Sequence, residues 1–321
     1  MYSVNDIQFK YPEISGLKTR VASLGEGPAV VFLHGWPESW YSWRSQMVAV
    51  ANNGFQAIAP DMPGFGETGK FAQIEDYNTK RIGEFILELI ESEAGKNAIV
   101  VAHDWGAVHG WNFTLQHPQA VSRLITMSVP LRPQGTKPPT QVYRDLFGDR
   151  FFYQLYFQKP GVAEKEFDAD PHGIISRLLC SPDTPREQAI LGSSWKLGGG
   201  WIDRLGKTKE LPSWMTQEEL DYYVEAFTKS GFEGGIHYYR NLDRNWEIMN
   251  SYADQKITCP VLFIAGSDDI SIVRASSEDL QNMMSSRVPD LTVKVMPGYG
   301  HWIQNEAAEE VNKDLLSFIQ T

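Results

Sequence analysis

Residues 98–110 read AIVVAHDWGAVHG, and this stretch decides the fold. The apolar run Ala98–Ala102 predicts a buried strand, and Gly106–Gln116 has the length and periodicity of a helix. Asp104 lies between them, and the small residues at positions 102, 106 and 107 allow a sharp turn. A side chain exposed on such a turn, beside the amino end of a helix, is placed for nucleophilic chemistry. The position also suits a helix cap, so this segment alone leaves both interpretations of Asp104 open.

The chain around this stretch alternates apolar runs with helical segments. The predicted strands are Ala29–Leu33, Gln56–Pro60, Ala98–Ala102 and Leu124–Val129. The predicted helices between them are Trp43–Asn52, Thr79–Glu93 and Gly106–Gln116, and Pro118 ends the last one. Repeated strand and helix units predict an α/β fold, in which a mostly parallel central sheet has helices on both faces.

The alternation stops after Val129 and resumes late in the chain. A long segment rich in Tyr, Trp and Phe follows Pro130, Pro133, Pro138 and Pro139. The pattern of strand and helix returns with Pro260–Ala265, Leu291–Met296 and Glu306–Ile319. We therefore predict a core domain formed by residues 1–130 and 251–321, with residues 131–250 inserted between two strands as a mainly helical cap (lid) domain.

Composition and charge exclude several classes of protein. The 321 residues include 40 Asp and Glu against 29 Lys and Arg, a formal charge of −11, so no nucleic-acid or membrane partner is expected. No apolar run reaches membrane-spanning length, and residues 1–10 lack the apolar region of a secretory signal. Cys180 and Cys259 are far apart, which predicts reduced thiols and no zinc site. We expect a cytoplasmic protein.

Two further segments place groups that could take part in catalysis at the ends of predicted strands. Residues 34–37, HGWP, directly follow the strand Ala29–Leu33, and such a loop can present a backbone amide. Residues 298–302, GYGHW, follow the last predicted strand and place His301 on a glycine-rich loop. An imidazole that is neutral near pH 7 suits a general base, provided that a carboxylate holds its tautomer.

These three segments, in this order along the chain, resemble the α/β-hydrolase fold. The resemblance implies an oxyanion hole formed by the backbone amides of Trp36 and Trp105. It implies structural roles for His34, Gly35 and Pro37, with a cis bond before the proline. The carboxylate partner of His301 is expected after the next-to-last strand, where the spacing common in the fold selects Asp269 over Asp268.

The nucleophile position differs from that of esterases and lipases, which have a serine where this chain has Asp104. A carboxylate is already ionised at neutral pH and can displace a leaving group from saturated carbon, which forms an alkyl ester. The ester can then be hydrolysed at its own carbonyl. The first half of this reaction needs either a halide or the strained oxygen of an epoxide as leaving group, so the function depends on what stabilises that group.

Two tyrosine-rich segments of the predicted cap could stabilise an epoxide oxygen. Residues 152–161 read FYQLYFQKPG, and residues 237–241 read HYYRN. Both resemble soluble epoxide hydrolases, and the resemblance implies that Tyr153 and Tyr239 donate to the epoxide oxygen. The register that excludes Tyr238 is set by Arg240-Asn241 and Asn245-Trp246. Tyr156 stays an alternative in the first segment. Together with Trp36 and Trp105, the two tyrosines would line an apolar slot for substrate.

The resemblance implies an epoxide hydrolase that converts epoxides to vicinal diols through a covalent ester on Asp104, with Asp269 and His301 as its partners. The expected partners are a small hydrophobic epoxide and water, with no metal and no cofactor, and the oligomeric state is left open. A haloalkane dehalogenase is the alternative, disfavoured because Trp36 stands where that family has an amide side chain for halide. A fluoroacetate dehalogenase is disfavoured because Trp105 replaces the expected Arg. The fold also hosts non-catalytic ligand binders.

Overall fold

The computed structural model describes residues 1–272 and 274–321, and these residues form an eight-stranded central sheet and a small two-stranded one. The strands are β1 (Gln8–Lys10), β2 (Glu13–Ile14), β3 (Leu17–Lys18), β4 (Val21–Leu24), β5 (Ala29–Leu33), β6 (Gln56–Pro60), β7 (Ala98–His103), β8 (Val121–Met127), β9 (Val261–Gly266) and β10 (Leu291–Met296). The order across the large sheet is β1-β4-β6-β5-β7-β8-β9-β10. In this order, all neighbouring strands from β6 to β10 are parallel to each other, whereas β4 is antiparallel to both of its neighbours, β1 and β6.

Helices cover both faces of this sheet, as the sequence pattern predicts. The helices are α1 (Arg44–Ala51), α2 (Thr79–Glu93), α3 (Trp105–Gln116), α4 (Pro139–Phe147), α5 (Tyr153–Tyr156), α6 (Ala163–Ala169), α7 (Pro171–Leu178), α8 (Gln217–Ser230), α9 (Glu233–Arg240), α10 (Leu242–Asn250), α11 (Ser277–Met284), α12 (Ile303–Glu306) and α13 (Ala308–Ile319). Helices α1 and α13 pack on one face and α2 and α3 on the other. Alternate residues of β5 enter opposite layers, with Val30 and Phe32 in one and Val31 and Leu33 in the other. Burial on both faces explains why these strands are continuous apolar runs.

The segment between β8 and β9 is mainly helical, which confirms the prediction of an α/β-hydrolase fold with a helical insertion. Helices α4 to α10 lie in this insertion. The longest stretch without regular helix connects α7 to α8, and it contains the short 3-10 turns Trp195–Leu197 and Ile202–Arg204. Within residues 1–272 and 274–321, none of the helices combines the length and apolar character that crossing a membrane requires.

Most predicted bounds agree with the structure, and the differences have local causes. Strand β8 begins at Val121 instead of Leu124, because its first residues pair with the start of β7, and it ends before Ser128, whose φ of 68° interrupts the extended chain. The last helix begins at Ala308 instead of Glu306, because Ala307 separates it from the short helix α12. The antiparallel strands β1 and β4 were not predicted, since each is only three or four residues long.

Candidate active site

Asp104 is the single residue between β7 and α3. Its φ of 51° and ψ of −117° lie in a region that non-glycine residues rarely adopt, so the surrounding packing must hold this turn. A Cβ at Gly106 would overlap the carbonyl oxygen of Leu33, which explains the glycine there. Asp104 occupies the N-cap position of α3 but makes no side-chain capping bond. Its carboxylate is therefore available to other partners, which disfavours the helix-cap interpretation.

The Asp104 carboxylate contacts two of the groups proposed from the sequence. Oδ1 accepts a hydrogen bond from the Trp36 backbone N–H at 2.8 Å, and Oδ2 lies 3.5 Å from His301 Nε2. Burial acts to raise the pKa of Asp104, but the hydrogen bond and charge of His301 outweigh it, so the pKa is lowered. A Cβ at Gly35 would overlap the Asp104 side chain, so only glycine lets the loop approach this closely.

The loop of residues 34–37 has the local geometry that the resemblance implied. The Trp36–Pro37 peptide bond is cis. His34 is buried, with Nε2 accepting from the Met62 backbone N–H and Nδ1 lying 2.9 Å from the Gly35 carbonyl oxygen. These contacts use both ring nitrogens, so His34 joins two loops and has no free nitrogen for proton transfer.

His301 lies between two carboxylates. Its Nδ1 is 3.0 Å from Asp269 Oδ2, and Asp269 Oδ1 also accepts the Ser271 N–H at 2.7 Å. Burial would raise the pKa of Asp269, but the charge and hydrogen bond of His301 lower it to about 2. Burial would likewise lower the pKa of His301, yet Asp269 and Asp104 raise it well above its usual value. The charges of His301 and of the two carboxylates therefore stabilise one another.

The structure distinguishes the two adjacent acids that follow β9. Asp269 is buried against His301, whereas Asp268 is exposed. A Cβ at Gly266 would overlap the carbonyl oxygens of Tyr299 and Gly300, so the glycine lets the histidine loop approach the end of β9. This close approach brings Asp269 and His301 together.

The insertion reaches the core through two glycines at the start of α9. The backbones of Gly64 and Gly234 are so close that a Cβ on either would overlap the other, and a Cβ on Gly235 would press on Trp36 and Phe65. Helix α9 therefore lies directly on the core. This contact places the Tyr239 ring edge-on to Trp105, with a centroid distance of 4.9 Å.

Tyr153 and Tyr239 converge on the same site. Their ring centroids are 5.8 Å apart, and burial is the largest cause of the raised pKa of each hydroxyl. The charge of Asp104 acts to raise both pKa values further. Both tyrosines therefore stay protonated and can donate hydrogen bonds or a proton.

The neighbouring tyrosines use their hydroxyls elsewhere. Tyr238 donates to the Pro63 carbonyl oxygen at 2.9 Å, and Tyr156 donates to Glu166 Oε2 at 2.8 Å. Of the two candidates in the first tyrosine-rich segment, Tyr153 is thus the one whose ring packs on Tyr239.

Comparison with known proteins places this geometry in a family. Residues 28–308 match the model of the α/β hydrolase fold. Over 310 residues, the chain is 38% identical to epoxide hydrolase A of Mycobacterium tuberculosis. This match covers 96% of this chain and 95% of that protein. The chain belongs to the epoxide hydrolases of the α/β-hydrolase fold. The resemblance inferred from its motifs is thereby confirmed.

Two further comparisons agree with this family. Epoxide hydrolase 1 of Siraitia grosvenorii is 34% identical over 310 residues, covering 95% of this chain and 96% of that protein. The crystal structure of epoxide hydrolase A from Mycobacterium thermoresistibile superposes with a TM-score of 0.90 at 36% identity, covering 98% of both chains. The similarity therefore includes the insertion as well as the core.

A second buried acid and histidine in this epoxide hydrolase were not singled out from the sequence. Glu38 accepts the Gly35 N–H and the Gln304 amide, and it lies 2.8 Å from His103 Nδ1. His103 Nε2 in turn lies 2.8 Å from the carbonyl oxygen of His301. Burial would raise the pKa of Glu38, but the charge of His103 lowers it. The pair links the loop of residues 34–37 to the loop of the base.

Within residues 1–272 and 274–321, no group of three or more His, Cys, Asp and Glu side chains is arranged to hold a metal ion. The backbones of Trp36 and Trp105 lie next to the Asp104 carboxylate, and their rings belong to one aromatic cluster: Trp36, Trp105, Tyr153, Phe157, Trp201 and Tyr239. Such a lining favours an apolar substituent on the epoxide.

Proposed function

We propose that this epoxide hydrolase converts apolar epoxides to vicinal diols through an ester formed on Asp104. The observation that carries the proposal is a carboxylate at the turn between β7 and α3 that lies 3.5 Å from His301 Nε2. Beside it is an aromatic cluster in which the Tyr239 ring packs on both Trp105 and Tyr153. A carboxylate nucleophile needs a strained or charged leaving group, and the two tyrosine hydroxyls suit an oxygen that becomes an alkoxide.

In the first step, an Asp104 oxygen attacks an oxirane carbon and the bond from that carbon to the ring oxygen breaks. Tyr153 and Tyr239 donate to the departing oxygen, and one of them transfers its proton, which leaves a tyrosinate. The imidazolium of His301 then returns a proton to the tyrosinate. The products of this step are a hydroxyalkyl ester, two neutral tyrosines and a neutral histidine.

The second step uses the change of charge at Asp104. The Asp104 carboxylate helps to raise the pKa of His301 in the free enzyme, and esterification removes that charge. The pKa of His301 therefore falls, and its neutral form is available to take a proton from water. Asp269 remains hydrogen-bonded to Nδ1 and keeps Nε2 directed at Asp104.

Water then attacks the ester carbonyl, and the resulting oxyanion must be stabilised by hydrogen-bond donors. The Trp36 amide already lies 2.8 Å from Asp104 Oδ1. The Trp105 amide belongs to the first residue of α3, so its N–H has no acceptor within the helix. Collapse of this intermediate breaks the bond from the Asp104 carboxyl carbon to the diol oxygen, which takes the proton that His301 received from water. The proton left on the new Asp104 carboxyl group then passes to His301, which restores an ionised Asp104 and a protonated His301.

Three further predictions from the sequence accompany this proposal. We propose that residues 1–130 and 251–321 form the core domain and that residues 131–250 form the cap (lid) domain that carries Tyr153 and Tyr239. A cytoplasmic location and independence from cofactors remain predictions from the sequence.

The proposal is tested by measuring diol formation from styrene oxide with the Asp104→Ala variant. Asp268→Ala is the matched control, since Asp268 is an exposed aspartate next to Asp269. Asp104→Ala should abolish turnover, whereas Asp268→Ala should retain it. Substantial diol formation by Asp104→Ala would overturn the assignment. Release of halide from haloalkanes, without diol from any epoxide, would favour a dehalogenase instead.

A further inference from the structure

Trp201 contacts two aromatic rings of the proposed site although it lies far from every motif in the sequence. Its indole is nearly parallel to the ring of Tyr153, with an angle of 11° and a centroid distance of 4.6 Å. It is also nearly parallel to Trp36, with an angle of 12° and a centroid distance of 5.9 Å. Trp201 therefore packs against a proposed proton donor, Tyr153, and against Trp36 of the loop of residues 34–37. We refer to its indole as the wall.

The backbone at Trp201 is held by one carboxylate. Glu166 on α6 accepts the Trp201 N–H with Oε2 at 3.0 Å and the Ile202 N–H with Oε1 at 2.9 Å. Glu166 Oε2 also accepts the Tyr156 hydroxyl at 2.8 Å. A Cβ at position 200 would overlap this carboxylate, so Gly200 lets the loop approach it. Glu166 therefore holds the backbone of Trp201 and Ile202 against α6.

Two phenylalanine rings of the same aromatic cluster also pack against Trp201. Phe157 and Phe167 pack against the indole at centroid distances of 5.5 and 6.2 Å. Phe157 in turn packs edge-on to Tyr239 at 4.9 Å. Trp201 is only partly buried, so the residue packs on the aromatic cluster beside Tyr153 and is also partly exposed to solvent.

We propose that Trp201 is a specificity-determining residue that limits the size of the apolar substituent an epoxide can extend past Tyr153, and that Glu166 is the positioning residue that holds it there. This inference rests on the proposed function. The substrates favoured by the intact wall are epoxides with one flat apolar substituent, such as styrene oxide. Epoxides with a bulky group on each carbon, such as trans-stilbene oxide, are disfavoured.

The first test compares kcat/KM for trans-stilbene oxide with kcat/KM for styrene oxide. Trp201→Ala should raise this ratio by about ten-fold or more, since differences in pocket volume discriminate on this scale. Trp201→Phe should raise it by about three-fold, which decides the question if the alanine variant does not fold. Trp195→Ala is the matched control, because Trp195 lies in the same segment but packs on Phe151 at 4.7 Å. Its ratio should stay at the wild-type value.

The second test separates positioning by Glu166 from a general structural role. Glu166→Gln keeps the side-chain size but removes the charge, so the loop should loosen and the ratio should rise in the same direction as with Trp201→Ala. For styrene oxide, this variant should raise KM more than it lowers kcat. In the Trp201→Ala background, Glu166→Gln should add nothing further to the ratio, because the wall is already absent. Equal losses for both epoxides, additive in both backgrounds, would overturn the positioning role.

The outcomes distinguish this inference from the proposed function. If the wild type forms diol from styrene oxide and the ratio is unchanged by both Trp201 variants, the function stands and the wall is refuted. The same conclusion follows if Trp195→Ala shifts the ratio as much as Trp201→Ala does. If the wild type hydrolyses neither epoxide, the proposed function and this inference both fail.

Discussion

Replacement of His301 by glutamine should separate the two chemical steps. The mechanism needs Asp104 for ring opening, whereas His301 is the base for hydrolysis of the ester. Its Nε2 lies 3.5 Å from Asp104 Oδ2, and its Nδ1 lies 3.0 Å from Asp269 Oδ2. Glutamine is neutral and cannot accept a proton from water at neutral pH. The His301→Gln protein should therefore form the ester and then hold it.

The expected slowing of each step follows from the catalytic contribution that the step loses in the His301→Gln variant. A positioned general base contributes about 10²- to 10⁴-fold, so hydrolysis of the ester should slow by that factor. This corresponds to about 3–5 kcal/mol in activation free energy. Ring opening loses the charge of His301, which helps to keep Asp104 ionised, and the proton that His301 returns to the tyrosinate, which solvent must then supply. It keeps both tyrosine donors. Ring opening should therefore slow far less than hydrolysis.

The assay is intact-protein mass spectrometry after mixing with excess styrene oxide. His301→Gln should accumulate one added substrate mass per chain, and the modified peptide should be the one that contains Asp104. His172→Gln is the control, because His172 is an exposed histidine away from the site, and it should show wild-type turnover without accumulation. A folded His301→Gln protein that hydrolyses styrene oxide at the wild-type rate would refute the role of the base.

Three further predictions follow from the same geometry. Tyr239→Phe should slow ester formation by about 100-fold in rapid-quench measurements, because one donor to the developing alkoxide is lost; Tyr238→Phe, whose hydroxyl donates to a backbone carbonyl, should not. Gly35→Ala should reduce diol formation strongly, since its Cβ would overlap the nucleophile, whereas at Gly135 the nearest atom to such a Cβ is 3.6 Å away, so Gly135→Ala should keep activity. Ester hydrolysis should slow by about ten-fold for each pH unit below the pKa of His301 in the ester, because the imidazolium cannot accept a proton. The nucleophilic carboxylate has a lowered pKa, so ring opening should keep its rate over that range and ester should accumulate at the lower pH.

The parts of the site that lie at strand ends could be predicted from the sequence. The turn at Asp104 has a strand signal on one side and a helix signal on the other, so its position needed only local information. His301 and Asp269 follow the last strands in the same way, and the carboxyl ends of parallel strands meet at one edge of the sheet. Local pattern thus located these three loops, whereas the role of Asp104 and the choice of Asp269 over Asp268 came from the resemblance to the α/β-hydrolase fold.

Contacts that depend on packing between distant segments could not be predicted in this way. Glu38 and His103 are 65 residues apart and meet only because the sheet brings their loops together. Trp201 lies in a segment without helical or strand periodicity, so nothing in its local sequence connects it with Tyr153. The role proposed for this residue required the three-dimensional arrangement of the insertion.

The measurement that tests the central claim most directly is a single turnover in oxygen-18 water, with enzyme in excess over styrene oxide. The account predicts that the label enters the peptide that contains Asp104 and that the diol of this first turnover is unlabelled, because water attacks the ester carbonyl. Label that appears directly in the diol, with none in that peptide, would mean that water attacks the epoxide and that Asp104 is not the nucleophile.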